Sequence, residues 1–584
     1  MEQKKCKQCE QSFEVSDGDQ TFLEKISPNF GDTSYKIPSP TLCRDCRSRR
    51  RLSWRNERSL YKRNCDLCNK EVVTLYHKDS PFKVYCQECF WSDKWDSRSY
   101  GQDFDPNKSF FEQFKELQAK TPRIALLNSR SENSEYANHA TRNKDCYLVF
   151  ASFDNENVMF SWRTRDSKEV LEAYACSKGC ELCYEGYRLE NCNKTNYSAN
   201  CQNCSDSNFL SDCASCKNCY MCVNMRNKQY CFLNEQLTKE EYENKIPDLG
   251  SRKIVDEEKK KFSEFLRNQP RPYAHIVNSE DCLGDDLIHC AKCNFCFDIE
   301  IAEDCKNFDN GENLHDCQDV YGGGYPAEWM YEVHGVLDGH YVAFSHASYY
   351  STRVYYADKC YNCQDIFGCV SLKKNQYCIL NKQYTKEEYE KKVADIIAKM
   401  TEQGEWGEFF PTSLSPFAYN ETMALERFPL SKEEASKIGA RWLEGDYTPK
   451  YDGETYEPKD NIKDYENEDE RGKLLSGIIK CSASGMPYKI LPQELAFYIK
   501  NNIPIPTKHY SQRYKERMNE YSPKRKLYHR SCMNEGPSFA STFAKATVDK
   551  KATDGRCTNE FETTYAPDRP EKVYCETCYQ GIIK

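Results

Sequence analysis

Residues 201–222 read CQNCSDSNFLSDCASCKNCYMC, and this stretch carries the pattern that decides the fold. Its cysteines belong to series with a period of twelve residues, formed by Cys180, Cys192, Cys204 and Cys216, by Cys201 and Cys213, and by Cys293, Cys305 and Cys317. A short fixed period without the 3.6-residue period of a helix is typical of the stacked coils of a β-solenoid. Small cysteines suit a narrow coil interior, and asparagines suit its turns. The pattern therefore predicts a Cys-rich β-solenoid.

A string of small metal-binding knuckles would also space its cysteines regularly. The strand-like runs at 147–150 (Tyr-Leu-Val-Phe) and 341–344 (Tyr-Val-Ala-Phe) favour the solenoid over that alternative. Within 176–231 and 282–378 the spacing leaves open whether the cysteines are packing residues, further metal ligands or disulfides. Because Ile366 matches Cys219 in the duplication described next, some of them are expected to be packing residues.

The solenoid pattern occurs twice in the chain. The spacing Cys213-x2-Cys216-x5-Cys222-x8-Cys231 recurs 147 residues later as Cys360-x2-Cys363-x5-Cys369-x8-Cys378. Each copy runs into a Thr-Lys-Glu-Glu-Tyr sequence, in which Thr238 with Glu241 and Thr385 with Glu388 are spaced as capping boxes. We therefore predict two related units, the first unit (126–236) and the second unit (273–382), each closed by a capped helix.

Paired cysteines outside the solenoid pattern predict metal sites. In the second ribbon (63–125), Cys65-x2-Cys68 and Cys86-x2-Cys89 are separated by seventeen residues, which suits a closed structural Zn²⁺ site with four thiolates. The N-terminal ribbon (1–62) offers Cys6, Cys9, Cys43 and Cys46, with a longer loop between its two pairs.

The C-terminal ribbon (531–584) repeats the second ribbon. A shift of 489 residues places Cys68, Cys86 and Cys89 on Cys557, Cys575 and Cys578, but it places Cys65 on Asp554. An insertion near 535–555 would explain the mismatch and make Cys532 the fourth ligand. Closing such a loop costs about 1–2 kcal/mol, which is small beside the roughly 10–16 kcal/mol of a structural zinc site. The alternative is a site with three cysteines or a broken site.

The N-terminal ribbon resembles a zinc-ribbon domain family of the treble-clef type. The resemblance rests on Cys6, Cys9, Phe13, Phe22, Pro40, Cys43, Cys46, Arg47 and Arg50. As a whole, the chain resembles Cys-rich, multi-zinc-ribbon proteins of bacterial type. The resemblance implies a treble-clef-like fold for the first module, while the cysteine spacing and the duplicated ribbon predict Zn²⁺ in three structural sites. It implies no catalytic activity.

Two basic blocks suggest a nucleic-acid partner. Residues 44–63 and 500–530 each contain nine basic residues against two acidic ones, although the whole chain has a net charge of -9. Aromatic residues lie between the arginines, a combination that suits contact with phosphates and bases of RNA or DNA. The candidate nucleic-acid-binding residues are Arg47, Arg50, Arg51, Arg55, Arg58, Arg513, Arg517 and Arg525. Two alternatives are a protein partner and an internal contact with the acidic run at 441–470.

The sequence favours a binding protein over an enzyme. It contains none of the familiar metalloprotease, nucleophile-elbow, P-loop or dinucleotide motifs. The best catalytic candidate is the segment 322–346, where Glu328, Glu332 and His334 precede His340 and His346. Such a group would fit a solenoid hydrolase or lyase. A loop between coils with exposed polar side chains is the simpler interpretation.

Composition limits the location and the fold class. The mean hydropathy is -0.86, the first residues contain no apolar leader, and no apolar run is long enough to span a membrane. A chain without an export signal is expected in the reducing cytoplasm, where thiols persist. The sequence does not indicate an oligomeric state.

We expect a multidomain, mainly β protein in which terminal zinc ribbons flank the two solenoid units. The predicted segments are 1–62, 63–125, 126–236, a helical linker at 237–272, 273–382, a helix at 383–403, a mixed α/β connector at 404–530 and 531–584. The function we predict is that of a non-catalytic, zinc-binding adaptor for nucleic acid. The alternatives are a protein-binding scaffold and the solenoid enzyme.

Overall fold

The computed structural model describes most of the chain and shows a mainly β protein with cysteine clusters near both ends. The described residues are 1–303, 314–315, 317–320, 322, 327–337, 340–343, 346–445, 450–521, 525–535 and 557–583. Cys305 and the predicted insertion from 536 onward lie outside the described residues.

Helices occupy the ribbons, the linker and the connector, whereas the solenoid units consist of strands. The helices are Asp17–Lys25, Arg44–Leu52, Gln87–Trp91, Phe110–Lys120, Lys239–Lys245, Arg252–Arg267, Lys386–Gln403, Met423–Arg427, Lys432–Lys437, Glu468–Ser476, Pro492–Lys500, Tyr510–Tyr521 and Glu576–Gln580, and 3₁₀ turns cover Ser97–Tyr100, Thr412–Leu414, Tyr419–Glu421 and Ile462–Glu466.

Short strands make up the rest of the regular structure. The first unit contains Asn128–Ser129, Ala140–Thr141, Tyr187–Glu190, Asn193–Asn196, Ala199–Gln202, Ser205–Ser211, Lys217–Val223, Gln229–Phe232 and Glu235–Gln236. The second unit contains Ile276–Val277, Leu283–Ala291, Asn294–Glu303, Leu314–His315, Ala327–Glu328, Gly335–Leu337, His340–Ala343, Ala347–Tyr349, Thr352–Tyr355, Asp358–Tyr361, Gln364–Phe367, Gln376–Ile379 and Lys382–Gln383. Outside the units lie Glu2–Lys5, Ser12–Val15, Asn29–Phe30, Thr33–Ser34, Tyr61–Asn64, Glu71–Thr74, Val84–Tyr85, Arg123–Ile124, Pro270–Pro272, Ile479–Lys480, Pro487–Tyr488, Tyr528–Ser531, Glu560–Thr563 and Lys572–Tyr574.

Parallel pairing at a spacing of twelve residues confirms the predicted solenoid. In the first unit, Ser205 pairs with Lys217 and Lys217 with Gln229. In the second unit, Thr352 pairs with Gln364, which pairs in turn with Gln376. Each residue therefore lies above its equivalent in the preceding coil. Most coils contain twelve residues, and a few contain eleven or thirteen, as between Ser177 and Glu190.

Each coil has four sides, a feature that the period of twelve alone does not reveal. Through much of the first unit every third residue has a left-handed backbone, as at Asp145, Leu148, Ala151 and Asp154, with φ values of 52°, 50°, 50° and 57°. Left-handed residues other than glycine are strained. Hydrogen bonds between coils offset that strain, such as the bond of 3.0 Å from the Tyr147 amide to the Val158 carbonyl. Twelve residues with a corner at every third position give four three-residue sides.

Small side chains fill the interior of the coils at every third position. The series in one part of the first unit is Cys146, Val149, Ser152, Asn155, Val158, Ser161 and Thr164, all of them buried. The Cys192 thiol donates to the carbonyls of Glu190 and Cys201 at 3.4 and 3.5 Å. The Ser152 hydroxyl makes the equivalent bond to Phe150 at 2.8 Å. Cys146 and Cys192 form no disulfide among the described residues and act as small, weakly hydrogen-bonding packing residues, which is one of the roles that the spacing left open.

The interior packing predicts how a coil tolerates substitution. Cys204 is buried and donates to the carbonyls of Gln202 and Cys213 at 3.4 and 3.6 Å. Cys204→Ser keeps both the size and the donor, so we expect it to change the free energy of unfolding by less than about 1 kcal/mol. Cys204→Leu overpacks the coil and is expected to cost about 1–3 kcal/mol. Urea unfolding of both variants tests the difference, and equal stabilities would contradict it.

Both units end in the same way, as their duplication predicts. Asn234 bonds the Val223 amide and carbonyl through its side chain at 2.8 and 3.0 Å. Asn381 does the same with Val370 at 2.8 Å for both bonds. The predicted capping boxes are confirmed at the helices Lys239–Lys245 and Lys386–Gln403. These ends stop the stack of coils and turn the chain away from it.

An aromatic ladder on the outside of the first unit supports a second core. Its rings, spaced by about one coil, belong to Tyr184, Tyr197, Phe209, Tyr220 and Phe232, with centroids 4.8–5.5 Å apart. Phe262 of the linker and Tyr498 of the connector pack on this ladder at 5.7 and 5.9 Å. The predicted linker helix and mixed connector therefore cover one outer face of the first unit, burying an apolar cluster there.

Candidate metal centres and the cleft they border

The structure brings together all three predicted sets of four cysteines. The sets are Cys6, Cys9, Cys43 and Cys46; Cys65, Cys68, Cys86 and Cys89; and Cys532, Cys557, Cys575 and Cys578, with the Sγ atoms of each set within 4.8 Å of one another. One Sγ–Sγ distance in each set measures 3.6, 3.9 and 3.8 Å. Tetrahedral metal–sulfur bonds of about 2.3 Å require a sulfur–sulfur distance of about 3.8 Å. Each group could therefore hold a metal ion.

Local structure positions each set in the same way. The first cysteine of each set follows a hairpin strand, as Cys65 follows Tyr61–Asn64, and the third cysteine starts a helix. Cys43, Cys86 and Cys575 are the residues that start those helices. A helix N-terminus favours a negative group and thus a thiolate ligand. Cys43 and Cys46 share a hydrogen bond, which lowers the pKa of Cys43 to about 5 and raises that of Cys46.

Cys532 lies with the other three cysteines of the C-terminal ribbon, as the proposed insertion requires. Its strand, Tyr528–Ser531, pairs with Glu560–Thr563 across the inserted segment. Two asparagine amides donate to sulfur atoms of the set: Asn534 to Cys578 at 3.2 Å and Asn559 to Cys575 at 3.5 Å. Such donors stabilise thiolate ligands. Sequence analysis did not identify these two asparagines, because no spacing rule marks residues that support metal ligands.

The two duplicated ribbons occupy equivalent places at the starts of the two units. Strand Val84–Tyr85 pairs in parallel with Arg123–Ile124, just before the first unit. Strand Lys572–Tyr574 pairs in parallel with Pro270–Pro272, just before the second unit. The C-terminal ribbon therefore caps a unit that lies far from it in the sequence.

Each of these ribbons also contacts the end of the other unit. Lys373 in the second unit donates to the Phe90 carbonyl of the second ribbon at 2.6 Å. The Tyr579 hydroxyl of the C-terminal ribbon donates to Asn224 in the first unit at 2.7 Å. These contacts close a ring, in the order second ribbon, first unit, C-terminal ribbon, second unit. Within the ring the two units lie side by side, and their coils stack in opposite directions.

A cleft of about 990 Å³ lies inside this ring. Matching residues of the two ribbons line it, since Gln87 and Trp91 correspond to Glu576 and Gln580 by the shift of 489 residues. Ion pairs cross between the units: Arg188 with Asp286 at 2.8 Å, Lys178 with Glu300 at 2.6 Å, and both Arg163 and Arg188 with Asp298. These contacts hold the two solenoid faces together along one part of the cleft.

His275 forms a further group of potential ligands with acidic side chains in the cleft. Its ring nitrogens lie 2.8 Å from Asp212, 3.4 Å from Asp285 and 3.5 Å from Asp286. Burial would lower the pKa of His275, but the hydrogen bonds with Asp212 and Asp285 raise it well above its ordinary value. The carboxylates also bond protein cations, since Arg188 pairs with Asp286. This cluster is therefore a charged contact between the units, which the sequence did not predict.

The predicted nucleic-acid-binding arginines of the N-terminal block lie inside the protein. Arg47, Arg50, Arg51 and Arg55 are buried, and Arg58 is covered for the most part. Their carboxylate partners are Asp319 for Arg47 and Arg51, Glu332 and Glu408 for Arg50, Glu57 for Arg55, and Glu426 for Arg58. The block is thus an internal docking element, although its partners lie outside the acidic run at 441–470 that the sequence suggested.

The three candidate arginines of the second basic block also pack inside the protein, whereas Lys500, Lys515 and Lys526 of that block are exposed. Arg513 and Arg517 pair with Glu172 on the first unit, and Arg525 pairs with Asp298 at 2.8 Å. Burial would raise the pKa of Glu172, but these two arginines hold it below its ordinary range. The prediction that these eight arginines contact nucleic acid conflicts with this packing, because buried guanidinium groups in ion pairs are not available to phosphates.

Among the described side chains of residues 322–346, Glu332 and the two histidines His334 and His346 do not come together as the catalytic group considered there. Glu332 is fully buried and bonds Arg50 at 2.7 Å. His334 lies in a different cluster, with its ring 4.6 Å from His346. Burial lowers the pKa of His334 and brings that of His346 to about 3, so both rings stay neutral. The side chains of Glu328 and His340 lie outside the described residues.

Over the described part of the chain, none of the helices combines the length and the apolar character needed to cross a membrane. A scan of the sequence against protein-family models found no match, and a search of curated proteins found none either.

Proposed function

We propose that this protein is a zinc-binding, non-catalytic adaptor, and that its ribbons belong to the zinc-ribbon class that the sequence resembles. The observation that carries the proposal is the convergence of four Sγ atoms in each of three sets. Thiolate ligands in a tetrahedral arrangement favour Zn²⁺ among the common divalent metals of proteins. Four protein ligands leave no position for water or substrate, so a structural role follows for each ion.

Two of the proposed zinc ions stabilise the ribbons that connect the two solenoid units in the ring. A ribbon of this size has few apolar side chains of its own, and the metal supplies most of its folding energy. Two of the three ribbons then provide the strands that start the solenoid units. A reducing compartment such as the cytoplasm would keep the twelve ligand thiols available for metal. The adaptor surface is the pair of solenoid faces that the ribbons hold in place.

The partner of this adaptor is proposed to be RNA or DNA, but not through the eight arginines that the sequence suggested. Releasing those side chains would leave carboxylates such as Glu332 and Glu172 buried without a cation, at a cost of about 3–5 kcal/mol each. A protein partner is the second candidate. The cleft favours a binding role in either case, because its volume of about 990 Å³ matches the upper range of ligand sites.

Metal analysis tests the zinc proposal directly. We expect the reduced, purified chain to contain three zinc ions, one for each set of cysteines. Dialysis against a strong chelator should remove them and reduce the β content measured by circular dichroism, because ribbon folding and metal binding are coupled. Cys204→Ser serves as the matched control, since it removes a thiol from the solenoid interior and should leave the metal content unchanged. Fewer than two zinc ions per chain would contradict the proposal.

A further inference from the structure

The cleft is divided into two regions of different charge. Along one row of the first unit, in successive coils, lie Thr141, Phe153, Arg165, Ser177, Glu190, Gln202, Ala214 and Arg226. The carboxylates that line the cleft are Glu190, Asp212, Asp286, Asp298, Glu300 and Glu576. Five of them pair with Lys178, Arg188 or His275. Asp298 also pairs with Arg163, in the same coil as Arg165, so the carboxylates reach as far as that coil and do not extend to Arg130 and Arg142. The region near the second ribbon is lined instead by Arg130, Arg142 and Arg165, together with aromatic side chains.

Aromatic rings in this basic region are exposed to an unusual degree. Trp91 is 45 % exposed and Tyr350 is 51 % exposed, although both line the cleft. Behind them, Tyr361 packs at 4.8 Å from Trp91 and stacks on Tyr349 at 5.0 Å. Tyr361 is only 8 % exposed and lines the cleft, and its hydroxyl has no hydrogen-bond partner among the described residues. The cleft thus offers two exposed aromatic rings, backed by a buried tyrosine.

The arginines beside these rings can exchange partners. Arg130 and Arg142 occupy the same position in adjacent coils, about 5 Å apart along the stack. The side chains of Arg142 and Arg165 are 42 % and 41 % exposed, and each pairs with an aspartate on the surface, Asp154 and Asp166. Exposed ion pairs of this kind contribute little to stability. A phosphate could therefore compete with the aspartates for these partly exposed guanidinium groups.

We propose that this basic, aromatic region of the cleft, lined by Arg130, Arg142, Arg165, Trp91 and Tyr350, binds a single-stranded segment of nucleic acid. Bases stack on exposed aromatic rings while arginines contact the backbone, which is the usual way in which proteins bind unpaired strands. A cleft of about 990 Å³ accommodates a few unpaired nucleotides and not a duplex. This inference rests on the proposed role as an adaptor for RNA or DNA. It assigns the contact with nucleic acid to residues that line the cleft, in place of the buried arginines of the basic blocks.

A binding titration with the full, zinc-loaded chain tests the site. The probe is a fluorescein-labelled oligothymidine of about ten nucleotides, followed by fluorescence anisotropy at several salt concentrations. Three arginine–phosphate contacts predict a slope of log K against log salt of about -2, and R130S/R142S should reduce it to about -0.7. Trp91→Ala should weaken binding about tenfold or more, while Trp91→Phe keeps a stacking ring and should retain most of the affinity.

Control variants separate this site from general charge effects. Lys144→Ser and Lys194→Ser each remove an exposed cation from the first unit outside the cleft lining, so neither should change the slope. Zinc content and circular dichroism are measured for every variant. If Trp91→Ala loses zinc, the R130S/R142S variant, which changes no residue of a ribbon, decides the outcome.

Three results would overturn the inference. The first is oligothymidine binding that R130S/R142S leaves unchanged. The second is tighter binding of a duplex of equal length than of the single strand. The third is an absence of oligothymidine binding by a chain that contains three zinc ions, in which case the zinc proposal stands and the cleft proposal fails. The same titration is repeated with a labelled polyglutamate peptide. If this peptide binds where oligothymidine does not, and if R130S/R142S weakens its binding, the partner of the cleft is an acidic protein and the inference is wrong.

Discussion

Replacing Cys578 with serine is expected to reduce the bound zinc from three ions per chain to two and to unfold the C-terminal ribbon. Cys578 is fully buried within its set of four sulfur atoms and accepts a hydrogen bond from Asn534. A structural zinc site contributes on the order of 10 kcal/mol to the folding of its module. Because strand Lys572–Tyr574 pairs with Pro270–Pro272, the start of the second unit should lose protection as well.

Metal analysis and amide hydrogen exchange measure these two effects together. We expect faster exchange at residues 270–277 and unchanged exchange at residues 123–129, which the second ribbon covers. Cys68→Ser should give the reverse pattern, with loss of protection before the first unit. A Cys578→Ser chain that still holds three zinc ions would show that the C-terminal set is not a metal site.

Replacing Arg123 with methionine is expected to destabilise the protein by about 3–5 kcal/mol, because it leaves a buried carboxylate without its cation. Arg123 and Asp358 are both fully buried, with 2.7 Å between Nη2 and Oδ2. The pair joins the segment before the first unit to the second unit. Arg98→Met removes the exposed pair with Asp96 and should cost no more than about 1 kcal/mol. Urea unfolding at neutral pH measures both values.

The penalty of Arg123→Met should also depend on pH. Burial alone would raise the pKa of Asp358, but Arg123 above all, with Lys359, holds it well below its ordinary range. In the wild type this carboxylate contributes stability above the unfolded value of about 3.9, and that contribution is lost as the pH falls below it. Without Arg123 the burial effect dominates and Asp358 binds a proton at higher pH. The destabilisation should therefore shrink between pH 7 and pH 5, and an increase over that range would contradict this account.

The metal sets and the period of the coil could be read from the sequence because each depends on spacing along the chain. Cys65 and Cys68 form one half of a tetrahedron through local turn geometry, whatever surrounds them. The duplication of the second ribbon even identified Cys532 across an insertion. Likewise, a repeat of twelve residues requires stacking, since each coil can bury its interior only against the next one.

The sequence analysis did not predict that the coil has four sides, nor that the arginines of the basic blocks are buried against carboxylates. The reasons differ. The small residues at every third position, such as Cys146, Val149 and Ser152, do show a period of three in the sequence. The cysteines alone showed only the period of twelve, which is four times as long. The pairing of Arg50 with Glu332 carries no local signal. The two side chains are 282 residues apart, and a charged run looks the same whether it faces water or a carboxylate.

The ring closed by the C-terminal ribbon sets the order in which the chain can assemble during synthesis. The first unit finds its covering strand in residues that the ribosome has already made, whereas the strand that covers Pro270–Pro272 is made some three hundred residues later. In the interval the second unit presents an open edge that could pair with another nascent chain. Such an edge exposes the growing chain to aggregation until the C-terminal ribbon has been made. Metal supply late in synthesis would then govern how much protein reaches its final form.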